Sequence, residues 1–257
     1  MRSHSLLAIT RAVSRSLGRC ELTHLERSPI DVDLARAQHR AYEEALASLG
    51  VRVVSLPEEP DLPDAVFVED TAVVTAELAV LTRPGAESRR AEVGSVARAL
   101  APHRRLARLE APATLDGGDV LRLGKTFFVG RSGRTGEEGI DRLRELLSPF
   151  GYAVEGVPIT GCLHLKSAVT CVADGVVLVN PAWVDPRAFG ARWIEVDPAE
   201  PAAANALRID DAVIHAARHE RTRARLEREG LRVVPVDVSE LEKAEGAVTC
   251  CSVLIDA

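Results

Sequence analysis

The sequence predicts an α/β fold, arranged as a propeller-like or pseudo-symmetric array of strand-strand-helix-strand units. Two observations carry this expectation. Strand-like alternation and helical periodicity replace one another in the same order, most clearly over 66–109 and again over 118–158. No glycine-rich phosphate loop occurs, which removes the usual support for an ordinary doubly wound sheet.

The elements follow in order. Leu6, Leu7, Ala8 and Ile9 open a strand over 6–12. A helix over 33–49 follows, with Asp33 placed to cap it, an apolar face near Leu34, Ala37, Ala41, Ala45 and Leu46, and Gly50 to end it. After a strand at 51–56, the first clear unit comprises strands at 66–75 and 78–83, a helix at 86–101 and a strand at 104–109. The second comprises strands at 118–123 and 126–130, a helix at 136–148 and a strand at 152–158. The third has strands at 166–172, 175–180 and 192–196, its helix reduced to a stub around Asp185 to Phe189. The fourth has strands at 204–207, 211–216 and 231–236 around a helix at 218–229. A short helix at 238–243 and a strand at 249–255 remain, and the two chain ends can supply a fifth copy. No linker or low-complexity stretch divides the chain, so residues 1–257 are expected to form one compact domain.

With 257 residues the chain can bury a full core. A net charge of −6 argues against nucleic acid as partner, because phosphates need a basic face. No apolar run approaches the length of a membrane span. The five cysteines form no C-x-x-C pair, and adjacent Cys250 and Cys251 are poorly placed to bridge each other. Reduced thiols in a cytoplasmic enzyme are the expectation. Arg2, Arg11, Arg15 and Arg19, with no acid before Glu21, mimic an organelle transit peptide. The strand reading of Leu6 to Thr10 is preferred, since arginine is abundant throughout.

Four segments can carry chemistry. Cys250 stands at the head of an apolar β-type segment entered from a turn at Gly246, a good place for a nucleophile. Asp64, Glu69 and Asp70 crowd three carboxylates into seven residues, which is costly unless a cation neutralises them. If that strand alternates, Asp64 and Asp70 share a face and Glu69 points away; the alternative is a solvated strand end. Asp116-Gly117-Gly118-Asp119 is either a sharp turn presenting carboxylates or a plain hairpin. His164 alternates with Leu163 and Leu165 and opens into a cleft if the leucines face the core. A thiol becomes strongly nucleophilic only beside positive charge or a base, so Cys250 needs such a histidine. Cys251 should face the other way and be packed.

Taken together, Phe67-Val68-Glu69-Asp70, Thr82-Arg83-Pro84-Gly85, Leu115-Asp116-Gly117-Gly118-Asp119, His164-Leu165-Lys166-Ser167 and the stretch from Ser239 to Ser252 resemble the dimethylarginine dimethylaminohydrolases. The motifs occur in that family's order and cover the chain from about Ser16 onward, and the resemblance is closer to the animal-type branch, with its adjacent cysteines, than to distant bacterial relatives. The resemblance implies a five-bladed α/β propeller and hydrolysis of Nω-methylated L-arginine, with no metal or organic cofactor. The partner implied is a small-molecule methylarginine, acted on by a monomer or homodimer. It further implies Cys250 as nucleophile, His164 as acid and base, and Asp116 as the carboxylate that orients the histidine. Asp70 is implied as the main guanidinium ligand, with Asp64 and Glu69 completing the acidic pocket. Arg89 and Arg134 match the arginines that hold the substrate carboxylate. Leu22 lies in the lid, while Ala244 and Glu245 lie near the amino acid end.

Arginine deiminases are the nearest rival. By resemblance they carry a second acid two residues after the histidine, where this chain has Lys166. Two positions depart from the family pattern: Glu245 replaces an aspartate common among relatives, and Asp116 is a glutamate in more distant ones. A non-catalytic methylarginine- or zinc-binding protein is the alternative from another class.

Overall fold

The ring is built one hairpin and one crossover at a time. The computed structural model describes residues 6–256. β1 (Leu6–Arg11) lies between β15 (Val253–Asp256) and β2 (Arg52–Leu56). Around the ring follow β3 (Ala72–Val74), β4 (Leu78–Leu81) and β5 (Arg105–Arg108), then β6 (Val120–Leu123), β7 (Thr126–Arg131) and β8 (Ala153–Pro158). The last two sheets are β9 (Val169–Ala173), β10 (Val176–Val179) and β11 (Arg192–Glu195), and β12 (Ala206–Ile209), β13 (Ala212–Ala216) and β14 (Arg232–Val236). This is the five-bladed α/β propeller that the resemblance implied.

Each sheet repeats one pattern: its middle strand pairs antiparallel with the inner strand and parallel with the outer one. An antiparallel pair accepts a two-residue loop, whereas a parallel pair needs a crossover. Three of the tight loops place a residue in the left-handed region, Gly124 at φ 58°, Gly175 at 68° and Asp210 at 51°. Short hairpins that follow the strand twist require positive φ. The ring closes where β15 pairs with β1, from Leu6 opposite Asp256 to Ile9 opposite Val253.

The crossovers pack outside the sheets. They include α1 (Val32–Ser48), α2 (Val93–Leu100), α3 (Glu137–Leu147) and α5 (Glu220–Arg228). In α3 the buried face is Ile140, Leu143 and Leu147, which join Val80, Phe127 and Val129 in one apolar cluster. Each such side chain contributes roughly 1.5–3 kcal/mol by burial. The cap of α1 is Asp31, not Asp33, because Asp31 is extended and accepts the N–H groups of Asp33 and Leu34. Gly50, at φ 84°, ends that helix as expected. Arg11 is buried and paired with Glu59, whereas Arg2 lies outside the described residues.

Residues of all five inner strands, β3, β6, β9, β12 and β15, line an axial channel of about 260 Å³. Just before each inner strand the chain makes a lead-in, and these lead-ins crowd together at one end of the channel. The expected strands began too early here. Val68–Thr71 is a 3-10 turn, as is Gly117–Asp119, and α4 (Leu165–Ala168) is a single helical turn. Residues 249–251 also form a turn, so the last strand starts only at Val253. Glu87–Glu92 is likewise 3-10 where an α-helix was expected. α6 (Ser239–Glu242) leads back to the final turn.

Candidate active site

Each lead-in contributes polar side chains to the crowded end of the channel. In a 3-10 turn successive side chains diverge by about 120°, so neighbours point to different sides. Asp70 is buried; its Oδ1 accepts the Gly118 N–H at 2.9 Å and its Oδ2 accepts Arg89 Nη1 at 2.6 Å. Glu69 turns toward the channel, where its Oε1 accepts from Lys166 Nζ at 2.7 Å and its Oε2 from Thr249 Oγ1 at 2.8 Å. The expectation that Glu69 completes the guanidinium pocket therefore needs correction: its carboxylate is spent on Lys166 and Thr249.

His164 precedes α4 with an extended backbone, so it is not the strand residue that alternation with the leucines suggested. Its Nε2 lies 3.0 Å from Asp116 Oδ2, and its Nδ1 lies 3.9 Å from Asp70 Oδ1. Asp116 Oδ1 accepts the Gly85 N–H at 2.9 Å, which fixes the carboxylate plane. Gly118 passes directly under the imidazole. A Cβ there would sit 2.7 Å from His164 Nδ1 and 2.8 Å from Asp70 Oδ1, so only glycine allows this approach.

Cys250 sits in the last lead-in, its N–H bonded to Ala247 O at 3.2 Å and its carbonyl accepting the Glu69 N–H at 3.1 Å. Cys251 is wholly buried in the core beside the ring, as expected of its opposite orientation. Sequence reasoning missed Asn205, the fifth contributor. Its Nδ2 donates to Lys166 O at 3.1 Å and to Thr249 Oγ1 at 2.9 Å, and its Oδ1 accepts the Thr249 N–H at 3.0 Å. It ties the turn after His164 to the turn before Cys250. The available signal was its place one residue before an inner strand.

Cys250, His164, Asp70, Asp64, Arg134 and Arg89 line one small cavity, which Ala244 and Glu245 also border. Its free volume is about 20 Å³, room for roughly one water molecule. The cavity is covered by the segment 20–25. Glu245, at φ 57°, accepts the backbone N–H groups of Thr23, His24 and Leu25 at 2.9, 2.5 and 2.6 Å. Asp64 Oδ2 accepts the Glu21 N–H at 3.1 Å, and Arg134 Nη2 donates to Thr23 Oγ1 at 3.0 Å. Glu21 lines the cavity, whereas Leu22 packs against the apolar cluster beside it.

The two arginines differ. Arg89 gives Nε and Nη2 to Glu92 at 3.1 and 2.9 Å, Nη2 also to Phe67 O at 3.1 Å, and Nη1 to Asp70. Most of its donors are already used within the protein. Arg134 is freer, with Nη1 4.0 Å from Asp116 Oδ2. Asp70, Asp116 and His164 could also surround a cation, since their ligand atoms lie within 4.8 Å of one another. Those atoms are already engaged by Arg89, Gly85, Gly118 and each other.

The family model described as "N,N dimethylarginine dimethylhydrolase, eukaryotic" matches residues 24–187. An N(G),N(G)-dimethylarginine dimethylaminohydrolase of Streptomyces coelicolor is 42% identical over 253 residues, covering 96% of this chain and 95% of that one. The chain belongs to the dimethylarginine dimethylaminohydrolase family. The namesake enzyme of Pseudomonas aeruginosa is 35% identical over 95% of this chain and 97% of its own. The solved structure of a cysteine-to-serine mutant of DDAH from P. aeruginosa, complexed with citrulline, superposes with a TM-score of 0.93. It is 34% identical and covers 97% of this chain and 98% of that one.

Within this dimethylarginine dimethylaminohydrolase family member the electrostatics are asymmetric. Burial lowers the pKa of His164, but Asp70, Asp119 and Asp116 outweigh it and raise the value to about 9. Burial and the neighbouring Glu69 and Asp70 push the Cys250 thiol up. Burial also opposes ionisation of Asp70, yet His164 and Arg89 bring it down to about 2. At neutral pH the free site thus holds an imidazolium, a thiol and an ionised Asp70.

Proposed function

We propose that this chain hydrolyses Nω-methylated L-arginine, mono- or asymmetric dimethyl, to L-citrulline and methylamine or dimethylamine. The reading rests above all on the convergence of Cys250, His164 and Asp70 in one cavity, with no acid two residues after the histidine. The place of such an acid is Lys166, locked onto Glu69 at 2.7 Å on the channel side. A guanidinium held by one carboxylate leaves its far nitrogens free to carry methyl groups. For the same reason free L-arginine, the deiminase substrate, is the poorer fit.

Asp70 binds the guanidinium by charge-assisted hydrogen bonds, with Asp64 adding negative charge at the cavity wall. Arg134, and the remaining donor of Arg89, meet the substrate carboxylate. The covering segment must open to admit substrate into so small a space, and Glu245 with Ala244 then closes over the amino acid end. The lid backbone near Leu22 completes that end.

The bound cation offsets the burial cost of a Cys250 thiolate, so the thiol ionises as substrate binds. The thiolate attacks the guanidino carbon and forms a tetrahedral adduct. His164, with Nε2 held by Asp116, delivers its proton to the methylated nitrogen, the C–N bond breaks and the amine leaves. Water then adds to the covalent thiouronium and His164 takes a proton from it. The C–S bond breaks, citrulline leaves and the Cys250 thiolate is restored. Every step uses side chains, so no cofactor is invoked.

All groups come from one chain, so a monomer suffices and a homodimer would leave the site complete. We read residues 1–257 as one domain, because the closing sheet joins β1 and β15. Free Cys20, Cys162, Cys171, Cys250 and Cys251 support a reducing, cytoplasmic setting. Among the described residues, no helix is long and apolar enough to cross a membrane. The decisive experiment is citrulline release from asymmetric dimethylarginine and from L-arginine, for wild type and Cys250→Ser. Turnover of the dimethyl substrate, abolished in the variant, is expected; preference for L-arginine would move the protein to the deiminases. Tight binding without turnover would identify a methylarginine-binding protein instead.

A further inference from the structure

Asp119 closes the Gly117–Asp119 turn and is wholly buried, yet it neither lines the cavity nor meets substrate in the scheme above. Both of its oxygens are engaged. Oδ1 accepts the N–H of Leu165, the residue after His164, at 2.9 Å. Oδ2 accepts the hydroxyl protons of Ser132 at 2.6 Å and Thr135 at 2.7 Å. Those hydroxyls are committed in turn. Ser132 Oγ accepts the N–H groups of Arg134 at 3.0 Å and Thr135 at 3.2 Å, and Thr135 Oγ1 accepts the Asp116 N–H at 3.1 Å. One carboxylate therefore anchors the backbone beside His164, the loop that carries Arg134, and the backbone of Asp116. The fold also makes room for it: a Cβ on Gly130 would lie 2.7 Å from Asp119 Oδ1.

We infer that Asp119 is a positioning residue for the hydrolysis, holding His164, Asp116 and Arg134 in one register. The inference rests on the function proposed above. A buried carboxylate that receives three donors resists replacement by a neutral group, because two of them are hydroxyls already oriented as donors by the backbone N–H groups they accept. An amide would turn a donor toward Ser132 and Thr135, where an acceptor is needed. The charge has a second effect. Groups facing His164 are Asp64, Asp70 and Arg89 on one side, and Asp116, Asp119 and Arg134 on another. Glu21 and Glu245 come from the covering segment and its latch, and Cys250 from the last turn. Removing one negative charge from this set weakens the hold on the imidazolium proton. Burial raises Asp119 itself to about 6, which still leaves it ionised at neutral pH.

The test is Asp119→Asn, with the His164 imidazole titrated by NMR and steady-state rates measured from pH 6 to 10. The His164 midpoint is expected to fall by about one unit or more. The alkaline limb of kcat should move down with it, and kcat/KM should drop about 10- to 100-fold. An unchanged midpoint together with kcat/KM within about twofold of wild type would overturn the proposal. Thr135→Val provides a second route if the asparagine variant does not fold. It cuts the link to Asp116 while Asp119 stays charged, so it should lower kcat/KM about tenfold without moving the His164 midpoint, and Thr135→Ser should restore the rate. Wild-type rates in Thr135→Val would reduce the network to packing and sink the idea. The NMR titration needs no turnover, so a shifted midpoint in a protein inactive toward methylarginine would refute the activity and leave the electrostatic half of the positioning role standing.

Discussion

Glu69 and Asp70 are adjacent carboxylates, both buried, and the structure sends them to opposite sides of one thin layer. Asp70 faces the cavity with Cys250 and His164; Glu69 faces the axial channel with Lys166 and Thr249. The same alternation separates Cys250 from Thr249 and His164 from Lys166. One layer of lead-in turns thus has a reactive side and a buttressing side. Both carboxylates are paired within the protein, Glu69 with Lys166 and Asp70 with Arg89, so their different roles follow from which space each borders: Glu69 faces the channel, whereas Asp70 lines the cavity with Oδ1 3.9 Å from His164 Nδ1. A buried, paired carboxylate can meet a cationic substrate only where one of its edges opens onto the substrate cavity.

The contrast is broken most severely from the reactive side. Asp70→Asn should lower kcat/KM for asymmetric dimethylarginine by about 10²–10³-fold, the loss expected when one partner of a buried charge pair is removed. Arg89 keeps its two bonds to Glu92, so the fold should remain intact by circular dichroism. Glu69→Gln is expected to act mainly on stability, because it strands Lys166. The pair is only partly shielded from solvent, with 20% of the Lys166 side chain exposed. A cost of about 1–3 kcal/mol is therefore expected rather than that of a fully buried pair, lowering the melting temperature by several degrees. Replacing both, as Glu69→Leu with Lys166→Met, should recover much of that loss. If the double variant were instead as inactive as Asp70→Asn, the two sides would not be separable.

Proton linkage sharpens the same comparison. If His164 is the acid for amine departure, as proposed, that proton is present at neutral pH and lost as pH rises through about 9. Below that point the raised thiol limits the reaction, so kcat/KM should climb with pH from 6, then fall on the alkaline side. A profile that falls already between pH 6 and 7 would contradict the imidazolium assignment. The same shift stabilises the fold fully below about pH 6.5, and that contribution fades as pH rises through about 9.

The smallest effect concerns the cover. Glu245→Gln keeps the size but weakens the three N–H bonds to Thr23, His24 and Leu25. KM is expected to rise about three- to tenfold with kcat nearly unchanged, since charged acceptors add about 1 kcal/mol over neutral ones. Stopped-flow binding of a fluorescent arginine analogue should show faster dissociation.

Much of this molecule is legible in the chain itself. Strand alternation is a local property, set by which residues suit a pleated, half-buried surface, and the expected strands at 78–83, 126–130 and 175–180 match β4, β7 and β10 within two residues at either end. Cys250, His164, Asp70 and Asp116 are also visible, because unlike chemical groups stand in short motifs. The errors concentrate in the lead-ins. Residues 66–71, 166–168 and 249–252 have strand-like composition, yet each coils into a turn where five segments meet at the ring's end and leave no room for extended chain. Which neighbour arrives there is a non-local matter. Lys166 reaches Glu69 from 97 residues away and Asn205 reaches Thr249 from 44, while Glu245 catches a loop more than 200 residues earlier. The sequence alone determined the repeating elements and the candidate reactive groups; only the closed ring decided which carboxylates face the channel and which the cavity, because the surroundings of a buried charge are set by the partners that tertiary structure brings to it.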